Sequence, residues 1–226
     1  MAVWVLTGFM GCGKSSIGRA AAKMLGVGGM PTQEFASLTP PSLRDGPPAS
    51  VPRVARPSEA HHHASAAFID LDEEIVRRCG RSIPEIFAAE GEQAFRAIER
   101  DTLAKLLPEA NSPRGNDPQP QLLIALGGGT LMSEDCRELV KKNARCIYLR
   151  AKVETLAENL RADDVAGRPM LAGVNPEAPA ESPDSLESRI ASMMTLRGPI
   201  YEKAADIILD IDGLSYEDVA QRVLNL

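Results

Sequence analysis

The chain has 226 residues, 44% hydrophobic and 25% charged, with a formal net charge of −6, values ordinary for one well-cored globular unit. The acidic balance excludes a general polyanion binder, which needs a basic face, so no nucleic-acid partner is expected. No apolar run approaches the roughly 20 residues that a membrane span requires, and no membrane partner is expected.

Residues 2–7 are a short apolar, β-prone run that enters the turn Gly8-Phe9-Met10-Gly11-Cys12-Gly13-Lys14-Ser15. The first residues lack the basic region and cleavage site of a secretory leader, and a cleaved leader would destroy the turn, so a cytoplasmic protein is expected. Beyond the turn, Ile17, Ala20, Ala21 and Met24 share one helical face, and Gly26 is a suitable stop. Residues 27–66 carry Pro31, Pro40, Pro41, Pro47, Pro48, Pro52 and Pro57 among Ser, Ala and Gly and read as a flexible insertion.

Phe68-Ile69-Asp70-Leu71-Asp72 is a strand end leading to a helix around 73–79, and Ser82-Ile83-Pro84-Glu85 has the spacing of a capping box. Phe95, Ile98 and Thr102 continue a helical face flanked by Arg96, Glu99 and Arg100. Residues 108–121, rich in Pro and Asn, read as a second surface loop. Leu122-Leu123-Ile124-Ala125-Leu126 is a buried parallel strand ending in Gly127-Gly128-Gly129. Ser133 caps a helix, Cys146-Ile147-Tyr148-Leu149 is a strand, and Val153, Leu156, Ala157 and Leu160 line the next helix. A third insertion, 173–184, precedes a helix carrying Leu186, Ile190 and Met193. Ile207-Ile208-Leu209 is the last strand, and Ser215-Tyr216-Glu217-Asp218 opens the last helix. Strands alternating with helices predict one α/β unit over 1–226, a five-stranded parallel sheet in three α/β/α layers. Cys12, Cys79, Cys136 and Cys146 have no metal-like spacing and read as reduced thiols.

The turn at 8–15 matches G-x-x-x-x-G-K-[ST] at every fixed position, with a strand before it and an amphipathic helix after it. Phosphate needs converging backbone N–H groups, which glycines leave unobstructed, and the following helix adds its N-terminal N–H groups. Lys14 is then placed for the β- and γ-phosphates, and the Ser15 hydroxyl for Mg²⁺. Asp70 and Asp72 stand at the C-terminal end of the second strand, where ligands gather in open parallel sheets. If the strand is still extended there, both face one side, one toward a metal's water shell and one toward a hydroxyl proton. The alternative is a helix N-terminus, where Asp is a common cap.

Several stretches together resemble the shikimate kinase family. Gly11-Cys12-Gly13-Lys14-Ser15-Ser16-Ile17-Gly18-Arg19 is similar to its opening motif, with Ser16 where the family more often has Thr. Phe68-Ile69-Asp70-Leu71-Asp72 resembles its paired aspartates. Arg81-Ser82-Ile83-Pro84-Glu85-Ile86-Phe87 and Gly91-Glu92-Gln93-Ala94-Phe95-Arg96 resemble its substrate-binding helices. Gly127-Gly128-Gly129, Arg168-Pro169-Met170-Leu171 and Arg197-Gly198-Pro199-Ile200-Tyr201 complete the series in the family's order. The resemblance covers the chain outside the three insertions.

The resemblance implies a P-loop kinase fold with substrate-binding helices near 70–107 and a lid near 161–185. It implies ATP as co-substrate with Mg²⁺, shikimate as acceptor and a monomeric enzyme. Gly11, Cys12, Gly13, Lys14, Ser15, Ser16, Arg161 and Arg168 are the implied nucleotide residues, and Ser15 and Asp70 the implied metal residues. Asp72, Arg96, Gly127, Gly128, Gly129 and Arg197 are implied for the acceptor, braced by Phe87, Phe95 and Glu99. Lys14, Asp72 and Arg168 are implied in catalysis. From spacing alone, Arg96 and Glu99 read as a solvated i,i+3 pair, Arg197 as a cation at a Gly-Pro helix stop, and 161–164 as a charged surface turn. The family's ATP-side residue after the last strand has no match around 210–214. His61-His62-His63 has the chemistry to bind a metal, though such a run in an insertion is more often incidental. A gluconate kinase-like enzyme of the same fold, or a non-catalytic nucleotide-binding relative, are the alternatives.

Overall fold

Val3–Thr7 (β1) is buried at every position, as expected of a strand covered on both faces by helices. In the computed structural model, which describes residues 2–26, 67–107, 119–162, 182 and 185–226, β1 is the central strand. It pairs in parallel with β3 (Leu122–Ala125) on one side and β4 (Arg145–Arg150) on the other. β2 (Ala67–Asp70) lies outside β3, and β5 (Ile207–Asp210) lies outside β4, so the order is β2-β3-β1-β4-β5, all parallel.

Seven α-helices surround this sheet among the described residues: α1 (Lys14–Met24), α2 (Leu71–Cys79), α3 (Ile83–Leu106), α4 (Glu134–Asn143), α5 (Val153–Ala162), α6 (Leu186–Ala204) and α7 (Tyr216–Leu224). The β1-to-β2 and β3-to-β4 crossovers run in opposite directions along the sheet, so right-handed connections place α1 and α4 on opposite faces. α7 returns to pack against α1, while α4 and α6 contact β4. Trp4, Leu6, Ile17, Leu71, Ile75, Leu103 and Leu122 fill the core between the layers. The five-stranded α/β architecture agrees with the sequence pattern.

Helix starts follow the predicted chemistry. Glu85 accepts from the Ser82 backbone N–H at 2.7 Å while the Ser82 hydroxyl accepts from the Glu85 N–H, a reciprocal box. Ser133, Ser185 and Ser215 cap α4, α6 and α7 by accepting from the N–H groups of Cys136, Ser188 and Asp218, each worth about 1 kcal/mol.

Four features differ from the sequence reading. The second strand stops at Asp70, which caps α2 through bonds to the N–H groups of Asp72 and Glu73, so no extended strand carries both aspartates. α3 breaks at Gly91, whose φ of 80° admits glycine far more readily than other residues. α6 runs straight through Gly198 and Pro199 to Ala204, so Arg197 is mid-helix rather than at a stop; the pyrrolidine costs one helical bond, which packing of Ile190, Met193 and Tyr201 offsets. Residues 119–121 are not a surface loop: Pro120 is buried, and Gln121 bonds through its backbone to both Ala2 and Ala67. The rest of 108–121, all of 27–66 with its histidine run, and 173–184 apart from Ser182 lie outside the described residues.

β2 gains its backbone partners from β3, and Phe68 packs where Gly18 of α1 leaves room. Replacing 28–65 by a short Gly/Ser bridge is therefore expected to leave a cooperative thermal transition within a few degrees of the full chain. Loop closure adds only ~0.6 kcal/mol per doubling of length, and calorimetry checks the outcome. Among the described residues no helix is long and apolar enough to cross a membrane.

Candidate active site

Most groups of interest among the described residues gather at the C-terminal edge of the sheet, where β1, β2 and β3 deliver their following turns. After Thr7 the chain wraps through Gly8 and Gly11 to Gly13, which is left-handed at φ 78° and caps α1 without any side-chain bond. A Cβ at Gly13 would also overlap the Tyr216 ring, so both backbone and space require glycine there. The first intrahelical bond runs from Ile17 N to Gly13 O. The N–H groups of Lys14, Ser15 and Ser16 therefore lie ahead of the ladder, as an anion-binding helix start requires. Lys14, nearly buried, reaches back across the turn and donates to the carbonyls of Gly8 at 3.0 Å and Phe9 at 2.9 Å. Cys12 is buried beneath it, and Ser16 is exposed.

Ser15 donates its hydroxyl to one oxygen of Asp70, whose other oxygen caps α2. Asp70 is thus a cap and a neighbour of the phosphate turn at once, so the capping alternative holds while one carboxylate oxygen still faces Ser15. Asp72 comes into the site by helical rotation: Leu71 turns into the core, and Asp72 turns toward the triglycine stretch, where a Cβ on Gly127 would stand 2.8 Å from its Oδ1. Burial pushes the Asp72 carboxyl up to about 6; Asp70 and Glu99 push the same way, while Lys14 and Arg96 oppose.

The expected solvated pair on α3 is not solvated. Glu99 is 1% exposed, accepts from Arg96 Nη1 at 2.7 Å and from the Thr130 hydroxyl at 2.5 Å, and so fixes the guanidinium. Removing one partner from such a buried pair typically costs about 3–5 kcal/mol. Arg96 also lies over the Phe95 ring at 5.3 Å, and Phe95 meets Phe87 at 4.7 Å. Gly129 abuts the Arg96 guanidinium, and Gly128 faces the backbone of the phosphate turn at Met10. From the far side, Arg197 of α6, 8% exposed, lies over the Phe9 ring at 5.8 Å and donates to Gly128 O at 3.5 Å.

Lys14, Ser15, Asp70, Asp72, Arg96, residues 127–129 and Arg197 are thus gathered at one place. Arg161 stands apart in the last turn of α5, paired with Glu187 at 2.5 Å, and Arg168 lies outside the described residues. Next to the phosphate turn, a depression of about 340 Å³ is bounded by Thr155, Asn159 and residues 213–217. Asp212 ties its walls together by accepting from Lys152 N and the Thr155 hydroxyl, and Asn159 donates to Gly11 O at 2.8 Å.

Sequence reasoning gave no role to Asn159, Thr130 or Tyr201. Tyr201 had a signal, since it lies four residues beyond Arg197 and shares its helical face. Asn159 and Thr130 had none, because their partners are distant in the chain.

The sequence model described as "Shikimate kinase" matches residues 60–226. A shikimate kinase of Chlorobaculum tepidum is 32% identical over 222 residues, covering 96% of this chain and 88% of its own. One from Streptococcus gordonii is 35% identical over 154 residues, covering 68% and 83%. Among solved structures, a shikimate kinase from Acinetobacter baumannii in complex with shikimate superposes with a TM-score of 0.67 at 25% identity, covering 99% of this chain and 91% of that one. With the phosphate turn, the paired aspartates and the triglycine stretch assembled at one sheet edge, and with these matches along its length, the chain belongs to the shikimate kinase family.

Proposed function

We propose that this ATP-dependent kinase transfers the γ-phosphoryl group of ATP to the 3-hydroxyl of shikimate, as a single kinase domain acting as a monomer in the cytoplasm. The observation that carries this reading is the position of Asp72, a carboxylate between the phosphate-side Lys14 and the acid-side Arg96. The acceptor is a small carboxylate with three hydroxyls. Arg96 and Arg197 offer planar forks suited to its carboxylate, while the triglycine stretch leaves room for its ring beside Asp72.

The turn at residues 8–15 receives the phosphates, with Gly11, Cys12, Gly13, Ser15 and Ser16 around them, and Lys14 exchanges its two carbonyl bonds for phosphate oxygens. Arg161, paired with Glu187 at the end of α5, serves the base, a role that rests on the family resemblance. Arg168 closes from the lid, a role that rests on the family resemblance. The Ser15 hydroxyl and Asp70 carboxylate are hard oxygen donors beside the phosphate turn, and they fit Mg²⁺, an ion that keeps water and phosphate as its other ligands. Bound there, Mg²⁺ would neutralise charge on the β- and γ-oxygens. Asp72 accepts the hydroxyl proton and holds the oxygen in line; positioning and electrostatics supply most of the rate.

Four free cysteines support a reducing compartment. ADP release measured over a panel of hydroxy acids and sugars tests the substrate: turnover with shikimate alone is expected, and turnover with gluconate alone would overturn it. Arg96→Lys is expected to raise the KM for shikimate at least about tenfold while hardly moving that for ATP, because lysine keeps the charge but cannot fill the fork between Glu99 and the acid. Equal effects on both KM values would place Arg96 outside the acid pocket.

A further inference from the structure

Tyr201 sits one turn beyond Arg197 on α6 and is 0% exposed. Its ring packs on Tyr148 of β4, with centroids 5.2 Å apart, and its hydroxyl donates to the Gly128 carbonyl. The same carbonyl also accepts from Arg197 Nη1, at 3.5 Å. A carbonyl oxygen has two lone pairs, so it accepts from the phenol and from the guanidinium together. Burial pushes this phenol above the ordinary tyrosine range, so it keeps its proton. Phenylalanine would fill the same space without desolvating a hydroxyl, so the oxygen's worth lies in its bond to Gly128 and, through that shared carbonyl, in Arg197.

Both partners belong to the acceptor side. Gly128 lies between Gly127, which faces Asp72, and Gly129, which faces Arg96, and its own Cα looks onto Met10 of the phosphate turn. We propose that Tyr201 is a positioning residue for the acceptor acid: its hydroxyl clamps the Gly128 carbonyl and the Arg197 guanidinium into one unit, aiming Arg197 before the substrate carboxylate arrives. The inference rests on the reading that Arg197 receives that carboxylate. A free arginine side chain loses rotamer entropy when it binds, and ordering it in advance removes that cost from the binding step.

The test is a double-mutant cycle in the full chain with Tyr201→Phe, Arg197→Lys and the pair, measuring both KM values, kcat and the thermal midpoint. Tyr201→Phe is expected to raise the KM for shikimate about three- to thirtyfold, as loss of a buried hydrogen bond predicts, and to leave that for ATP within error. The pair is expected to lose less than the product of the single losses, because both variants break one unit. With Arg197→Lys impaired toward shikimate, an unchanged shikimate KM in Tyr201→Phe overturns the clamp. So do equal rises in both KM values, strictly multiplicative losses, or a collapsed thermal midpoint. A normal shikimate KM in Arg197→Lys overturns instead the carboxylate reading beneath it.

Discussion

Asp72→Asn is expected to lower kcat about 10²–10⁴-fold, the usual loss with a general base, while nucleotide affinity stays nearly unchanged. Asn keeps the shape and a hydrogen-bond acceptor, so the acceptor still binds; what disappears is the group that takes the hydroxyl proton. Nucleotide titration and single-turnover assays separate the two effects, and a normally active variant would remove Asp72 from the chemistry. The raised carboxyl adds two pH signatures. Transfer needs the ionised form, so kcat/KM for the parent enzyme is expected to fall as pH drops through about 6, and Asp72→Asn should lack that limb. Stability runs the other way. The folded carboxyl binds its proton more tightly than the unfolded one, so its contribution is full below about 3.8 and is lost as pH rises through about 6. At pH 7–8 the variant is therefore expected to be the more stable protein, by on the order of 1–3 kcal/mol, and below pH 4 the difference should vanish. A gain in stability with a loss of turnover is the outcome that a merely structural aspartate would not give.

Lys14→Ala is expected to abolish transfer to every acceptor, a loss of about 10³-fold or more, since a charged donor aimed at developing phosphate charge is removed from a poorly solvated site. Unlike Asp72→Asn, it should weaken ATP binding as well. The Lys14 ammonium bonds to the carbonyls of Gly8 and Phe9, so the variant also leaves those oxygens without that donor. A modest fall in the variant's thermal midpoint, together with loss of the rise that ATP gives the parent, would register both effects. Retained turnover with any acceptor would contradict the phosphate role.

Strand and helix existence was legible because apolar runs bounded by glycine, and Ser at helix starts, act locally. The phosphate turn was legible for the same reason, being eight consecutive residues. What was misread depends on contacts across the sheet. Spacing alone made Glu99 half of an exposed pair; only the approach of Thr130 shows that the carboxylate is enclosed. Gly198-Pro199 reads locally as a stop, yet α6 continues because its buried face is anchored on both sides of the proline. The Asp70/Asp72 alternatives were posed as a choice, although one carboxylate has two oxygens: Asp70 caps α2 with one and meets Ser15 with the other. The acceptor residues came from family resemblance rather than from periodicity, since Arg96, Gly128 and Arg197 are far apart in the chain and carry no common local pattern.

The strand order has a bearing on how such an enzyme can diversify. Because β2 and β3 lie on one side of β1 and β4 and β5 on the other, the proposed acceptor contacts are written mainly between residues 70 and 130, and the depression beside the phosphate turn is written mainly after 150. Exchange of the segment between β2 and β3 would therefore transplant Asp72, Arg96 and Glu99 as a cassette without disturbing the nucleotide side. α6 breaks that modularity. It follows β4 in the chain yet carries Arg197 and Tyr201 back to the triglycine stretch, so a recombinant built at the β3 boundary would inherit half of an acid-binding pocket. Acceptor specificity in this architecture is thus constrained to change in two places at once.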